Sequence, residues 1–526
     1  MSEGPSLHPT GRWTHAEAMW GIREAQQLVP TALRAIQDFL QEIHRQEYSA
    51  KYVQLVHGMW ALHLCHEVVY LREQRSKQVA VDDLTVVVPL SKPAYPTRQE
   101  SGVLSRADLI QLANNGIAGV RKLQLKSQVE VPRRQLQMSQ LKDKLFSSLA
   151  HRDAKVWVSE PYLHLDVCAR VRAVWRSRSL MQWNDFNCVE LIAARPNLHA
   201  RLAFVDRSSR DDSLAGLLAT LVALSLPIEM AEALPAIGKE ISPLVSTQPE
   251  LIYTANSHHY RTAFKVAAAQ LTASGSKLCV HQHGGGYGID ELHIGEYFDR
   301  EVADYFFTFG WRDLSNQNVR PLPTPHRAVR STVSQQILLM CAEHITEFFR
   351  FQSFYLPEHS GKVLLETRSF LNMMNSTSDI HLRMAPSSPI PLPLLGDLVA
   401  KCTIAETAES GAVAASRAAL VVHNYLGTSW LETLAMNVPT VCFYDPEFYR
   451  PRAEARPFLD ALVRVGVLHY SGSEAAKFVN SLRGNPTAWW QSAEVQEARE
   501  AFVARYANFN DNWLEAWTDE FERLLS

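Results

Sequence analysis

The sequence predicts an α/β protein of two Rossmann-like halves, with a helical start and a helical end. Three observations carry that prediction. At 526 residues the chain is too long for one ordinary core. Two stretches, at residues 277–288 and 419–445, deliver an apolar strand into a glycine turn. After a stretch rich in proline and arginine, short apolar runs and helical stretches alternate again, the pattern of a parallel sheet covered on both faces.

Composition narrows the class. Apolar residues make up 46% and charged residues 20%, as in globular proteins. A formal charge of −3 supplies no basic field to gather phosphates, so nucleic acid is not expected as the main partner. Cys65, Cys168, Cys188, Cys279, Cys341, Cys402 and Cys442 are scattered, mostly in apolar runs, with no CxxC pair. They read as reduced thiols of a cytosolic protein rather than a disulfide framework or zinc site. The start MSEGPSLHPTGRW is no basic-then-apolar leader. No run reaches the roughly 18 apolar residues a spanning helix needs. The expected location is cytoplasmic, at most peripheral to the inner membrane.

In chain order, Thr14 to about Arg75 reads as helix, with Leu33, Ile36, Phe39, Leu40 and Ile43 at helical spacing. Leu84 to Val88 is the first strand, stopped by Pro89, and 91–99 is an exposed connection. Leu104 to about Leu149 reads as helix again, broken near Gly116 and Pro132. Lys155 to Ser159 is a strand that ends at Glu160, where open α/β sheets place chemistry; a surface acid is the competing reading. Arg170, Arg172, Arg176 and Arg178 form either a solvated helix face or a surface for an anionic acceptor or membrane. Leu251 to Ala255 is a strand followed by the polar turn Asn256-Ser257-His258-His259-Tyr260 and a helix. Tyr305 to Phe309 is another, ending at Gly310-Trp311. The second half holds short strands at 336–340, 380–383, 402–404, 420–422 and 440–443, and 489–525 reads as amphipathic helix. These readings divide the chain into an N-terminal α/β domain at 1–315, a linker at 316–333, a nucleotide-sugar-binding domain at 334–488, and helices at 489–526 that pack back on the first domain.

Two motifs carry chemistry. In ALVVHNYLGTSWLETLAMNVPTVCFYD, Gly427, Thr428 and Ser429 stand where a strand hands over to a helix. A helix start offers unpaired N–H groups and the positive end of the dipole, Gly427 lets a phosphate come close, and the two hydroxyls add donors. Glu432 follows one turn later, placed to accept hydrogen bonds from ribose hydroxyls. The same pattern also fits an ordinary βαβ unit whose Thr or Ser is only the N-cap. In Lys277-Leu-Cys-Val-His-Gln-His-Gly-Gly-Gly-Tyr-Gly288, a buried strand brings His281 and His283, two apart and so on one face, to Gly284, Gly285, Gly286 and Tyr287. The glycines bare backbone amides, and the imidazoles suit anion binding or acid/base work, or a structural role for one of them. No third metal ligand is identified, so no metal is expected. Arg383, ending its strand, suits a phosphate or carboxylate, or a surface ion pair.

Two Rossmann-like halves, a proline-rich linker and a C-terminal crossing helix suggest a GT-B-like glycosyltransferase. The chain resembles the LIC-type transferase family of bacterial O-antigen and surface-polysaccharide clusters. The matching pieces are Ile43-His44 with Tyr52 and His57-Gly-Met-Trp60; Tyr253-Thr-Ala-Asn-Ser257 with Phe264-Lys265; His281 to Gly288; Phe309-Gly-Trp311; His381-Leu-Arg383; and Gly427-Thr-Ser-Trp-Leu-Glu432 with Asn437-Val-Pro439. That family is similar to retaining β-Kdo transferases, which use a CMP-activated ulosonic acid. The resemblance implies a donor site on Thr428, Ser429 and Glu432, and a reaction centre lined by Glu160, the 281–287 loop, Asn256, Ser257 and Arg383. It implies a nucleotide-activated sugar as co-substrate, no cofactor, and a glycan or lipid-linked acceptor. One departure matters: the family carries Asp shortly before the Phe-Lys pair, where this chain has Arg261-Thr262-Ala263. Threonine does not replace a carboxylate nucleophile at neutral pH without a dedicated base. Two alternatives stay open, a phosphotransferase of the CDP-glycerol type and a non-catalytic partner in polysaccharide assembly.

Overall fold

The computed structural model describes residues 15–73, 83–88, 122–127, 154–161, 175, 181–183 and 195–526, except 292, 327, 332–333, 343–356, 385–401, 406–407, 448 and 483–484. The arginine-bearing segment at 167–179, apart from Trp175, and the loop at 91–99 lie outside the described residues. Apart from the chain ends, the protein packs as two compact units. One comprises Trp20–His281 with Phe298–Tyr305, the other Gln282–Tyr297 with Phe306–Leu524.

The first unit begins with the expected helices, His15–His44 and Ala50–Glu73. Ala32, Ala35, Ile36, Phe39 and Leu40 are buried along one stripe of the first. Phe39 meets Phe204 edge-on at 5.2 Å, and the Arg201 guanidinium lies over the Phe39 ring at 5.2 Å. The second helix packs on the helix Thr262–Ala273. A parallel pair, β1 (Asp83–Val88) and β2 (Lys122–Ser127), stands apart from the main sheet. β2 corrects the helix expected over 104–149. Within it Leu123 and Leu125 alternate with Lys122, Gln124 and Lys126, a period of two that a reading for long helices passes over.

The main strands of this unit are β3 (Val156–Ser159), β4 (Met181–Trp183), β5 (Leu251–Thr254) and β6 (Lys277–His281). They run parallel in the order β4-β3-β5-β6. β3 and β5 are buried along their whole length, which explains their continuous apolar runs.

The second unit takes in all but the first residue of β7 (Tyr305–Thr308), whose Phe306–Thr308 pair with β8 (Val319–Pro321). β8 falls inside the stretch read as a linker; Pro321 is its last residue, where a missing N–H costs the ladder least. A parallel sheet of six strands follows: β9 (Ile337–Met340), β10 (Ile380–Arg383), β11 (Thr403–Ile404), β12 (Leu420–His423), β13 (Thr440–Phe443) and β14 (Leu468–His469), in the order β11-β10-β9-β12-β13-β14. Its two faces are sorted by strand alternation. Ile337, Leu339, Leu382, Val422, Val441 and Phe443 pack with Phe370 and Val479 from the helices Pro357–Met373 and Gly472–Leu482. Leu338, Met340 and Val421 pack with Ala415 and Met436 on the opposite face. The sheet is therefore doubly wound, as the sequence predicts for each half. The C-terminal helix Trp513–Leu525 docks on β7 and β8. Phe521 meets Phe307, Trp517 Nε1 donates to Pro323 O at 2.6 Å, and Glu520 pairs with Arg320 at 3.0 Å.

Among the described residues, no helix is long and apolar enough to cross a membrane. Cys65, Cys279, Cys341 and Cys442 are buried free thiols and Cys402 is a partly exposed one.

Candidate functional site

In an open parallel sheet, ligands enter where the strand order reverses, outside the carboxyl ends of the strands. In the second unit that point lies between β9 and β12, since the chain proceeds from β9 outward through β10 and β11 and then returns to lay down β12, β13 and β14. Asn424, immediately after β12, clips this crevice together. Its Oδ1 accepts the N–H of Ala342 at 2.7 Å and its Nδ2 donates to Thr367 Oγ1 at 2.9 Å.

Three residues on, the helix Thr428–Ala435 starts with Gly427 as its N-cap and no side-chain capping bond. Neither hydroxyl is spent on the cap. Thr428 Oγ1 instead accepts the N–H of Gly285 at 2.9 Å, and Ser429 Oγ pairs with Tyr425 OH at 3.2 Å. An oxygen that accepts from Gly285 keeps its own O–H to donate elsewhere, so the helix start retains an anion-binding character. Gly427 is needed by its neighbours, because a Cβ there would lie 1.9 Å from the Tyr425 ring. Glu432 is buried on the same helix. Arg383, at the end of β10, donates from Nη2 to Glu409 O at 2.5 Å, and burial lowers its pKa.

The glycine-rich loop belongs to the same unit and is laced to that helix start. A Cβ on Gly285 would lie 2.6 Å from Gly427 C and 2.8 Å from Thr428 N, so only glycine allows this approach. Gly286 and Gly288 have φ of 86° and 70°, the left-handed region. Gln282 holds the loop from below: Nε2 donates to Gly284 O at 2.8 Å, while Oε1 accepts from Phe309 N and Trp311 Nε1. Glu296 accepts from Gly288 N at 2.9 Å and forms a two-pronged pair with Arg452, both prongs 2.9 Å. His293 Nδ1 accepts from Glu296 N, which leaves its Nε2–H to donate to Gly285 O at 3.2 Å. Tyr287 stacks near His293 and bonds His283 Nδ1 at 3.3 Å.

The two motif histidines do not share a face of one strand. β6 ends at His281, and His283 lies beyond it, so the period-two argument does not reach the second residue. His281 Nδ1 pairs with Tyr253 OH at 2.6 Å inside the first unit.

In the first unit the strand order reverses between β3 and β5. There Glu160 follows β3 with a φ of 39°, a strained conformation for a non-glycine residue. Arg261 Nε and Nη2 hold its Oε1 at 2.7 and 2.6 Å, and Ser257 Oγ donates to Oε2 at 3.2 Å. Ser159 Oγ lies 2.7 Å from Ser257 Oγ, and Asn256 opens the turn, its carbonyl accepting from His259 N at 3.0 Å. The carboxylate is 23% exposed and so reachable. On the reverse side of the same turn, His258 Nε2 and His259 Nε2 both meet Asp299 Oδ1, at 2.7 and 2.6 Å. Burial alone pushes the Asp299 carboxyl up, but the two imidazoles outweigh it and hold it well below the usual range. These three are, among the described residues, the one group with metal-type ligands converging; their spacing is that of hydrogen bonds.

A family profile now decides the affiliation: that of the LIC12162 family transferases matches residues 12–521. The chain belongs to this family. No curated protein matches it. Among solved structures this LIC12162 family transferase is similar to a Thermobaculum terrenum O-GlcNAc transferase variant, at 11% identity and a TM-score of 0.39, covering 96% of this chain and 84% of the other. It is similar also to the glycosyltransferase SnogD of Streptomyces nogalater, at 14% identity and 0.37, covering 70% and 98%. The wall teichoic acid polymerase TagF aligns at 9% identity and 0.33, covering 76% and 100%. The likeness is distant in each case.

Several residues of the LIC12162 family transferase escaped the sequence reading. Arg261, Asp299, Glu296, Arg452 and Asn424 act through partners far along the chain, and no local spacing marks them; His293 bonds only nearby residues, Gly285 and Glu296, among the contacts described. The adjacent His258-His259 pair was the one available hint.

Proposed function

We propose that this transferase is a glycosyltransferase that takes a nucleotide-activated sugar and delivers the sugar to a surface-polysaccharide or lipid-linked acceptor. The observation that supports it most is the helix start at Thr428: uncapped by any side chain, at the strand-order reversal, with Thr428 turned by Gly285 so that its O–H is available to donate. In this reading the C–O bond between the sugar and the leaving phosphate breaks, and its electron pair goes to the phosphate oxygen. The first-turn N–H groups, the Thr428 and Ser429 hydroxyls and Arg383 stabilise that charge, while Glu432 binds the ribose hydroxyls. We assign Glu160 as the carboxylate that serves the sugar carbon; the acceptor oxygen forms the new bond to that carbon as His281 or His283 takes its proton. The donor we favour is a CMP-linked ulosonic acid such as Kdo. We place the work in the cytoplasm, with peripheral membrane contact when the acceptor is lipid-linked.

The test is a thermal-shift series with CMP, CDP, UDP, GDP and dTDP. Ligand at about 100 times its dissociation constant adds roughly 2.7 kcal/mol. A selective response to CMP supports the ulosonic donor; a response to one diphosphate keeps glycosyl transfer and discards that donor. Silence from all five, or a product that retains the donor's phosphorus, overturns the proposal.

A further inference from the structure

We infer that the start of the helix Thr262–Ala273 is a second anion site, shaped for the carboxylate or phosphate group of a substrate. The helix has twelve residues and Arg261 as N-cap, with no side-chain capping bond. Its first N–H groups therefore have no acceptor within the helix. Beside them sits a hydroxyl with no partner among the described residues: Thr262 is 1% exposed, and its Oγ1 makes no hydrogen bond to any of them. Side chains tilt toward the N-terminus of their helix, so the first residue aims its hydroxyl back toward those amides. Buried polar groups are nearly always bonded, and an orphan at a helix start marks a place where an acceptor is missing.

The surroundings name the acceptor's charge. Arg261 contributes its guanidinium from the preceding residue, and Lys265 is buried in the first turn. The same turn already holds one oxyanion, the carboxylate of Glu160, on Arg261 and Ser257. Amides, a hydroxyl, the positive charge of Arg261 and the positive helix end together suit a planar or tetrahedral oxyanion and repel a cation. The site adjoins the strand-order reversal of the first unit, where ligands of such sheets enter. Its ligand being part of a transferase substrate rests on the function proposed above: the anion then belongs to an acidic sugar or a phosphorylated acceptor.

The experiment is calorimetric titration of the full-length protein with inorganic phosphate, with N-acetylneuraminate as a carboxylate-bearing ulosonic acid, and with its methyl ester. Wild type should bind at least one anion and not the ester; preference for phosphate or for the acid tells the two sources apart. Thr262→Val removes the hydroxyl at nearly constant shape. It should leave the unliganded melting temperature unchanged or higher and weaken the anion by about tenfold, the loss of one bond to a charged group. Arg261→Gln should weaken it as well. The titrations are repeated on Thr428→Val, so that phosphate bound at the other helix start is counted separately. Equal anion affinity in wild type and Thr262→Val, or no binding by wild type, overturns the inference. If Thr262→Val loses the anion while CMP, CDP, UDP, GDP and dTDP all fail to bind, the donor reading falls and this site stands.

Discussion

Replacing Gly285 by alanine tests the central contact of the second unit. The added Cβ would stand 2.6 Å from Gly427 C, 2.8 Å from Thr428 N and 2.9 Å from Gly427 O. All three are backbone atoms of a helix start, so no flexible side chain can yield. The loop must lift away, at a cost of about 1–3 kcal/mol for overpacking. Lifting also breaks the Gly285 N–H to Thr428 Oγ1 bond of 2.9 Å, worth about 1 kcal/mol more. The expected loss is about 2–4 kcal/mol by these two principles. With its partner gone, Thr428 can turn its hydroxyl freely, and nucleotide affinity should fall as well. Denaturant unfolding followed by tryptophan fluorescence reads the first effect, and thermal shift with nucleotide reads the second. Gly275→Ala is the control. Its φ of 107° makes it strained, yet nothing lies within 4 Å, so it should lower stability without touching nucleotide binding. A Gly285→Ala protein within about 0.5 kcal/mol of wild type, the ordinary range for surface changes, would refute the close-approach argument.

Further expectations concern charge and pH. Arg201 is fully buried and holds Glu232 through two bonds of 2.7 Å, besides the carbonyls of Ala223 and Leu226. Arg201→Met strands the carboxylate and should cost about 3–5 kcal/mol in urea unfolding; a loss under 1 kcal/mol would show the pair to be replaceable. Burial lowers His57 to about 4 and His66 and His423 to about 3. Their folded pKa values lie below the unfolded value, so their neutral forms support the fold above about pH 6.5 and that support drains away as pH falls toward 4. Each should cost up to about 2 kcal/mol between pH 6.5 and 5, and a flat denaturation midpoint across that window contradicts it. Asp299→Asn should release the turn that presents Ser257 and Arg261 to Glu160, with a stability loss of about 1–3 kcal/mol. Unchanged unfolding of that variant would mean the two histidines find other partners.

Much of this protein is written in local pattern. Residues 420–443 form strand, turn, helix and strand because Leu420, Val421 and Val422 are apolar without interruption, Gly427 ends the run, and Trp430, Leu431 and Leu434 recur at helical spacing. The same logic found β3, β5, β6, β9, β10 and the two leading helices, and hence the doubly wound class. It missed β2, whose alternation is short and polar, and it read through β8, whose proline suits an edge. It also placed Glu160 just past a strand end and Thr428 at a helix start, since both boundaries are properties of local sequence. What no local pattern contains is the partner. That Thr428 receives its hydrogen bond from a residue 143 positions earlier, that Arg452 closes on Glu296, and that Arg261 grips Glu160 are facts of topology. Parallel strands are joined by long crossovers, so residues that meet at a strand-order reversal are distant in the chain. The sequence determined which side chains stand at the ends of strands, and the tertiary structure decided which of them meet.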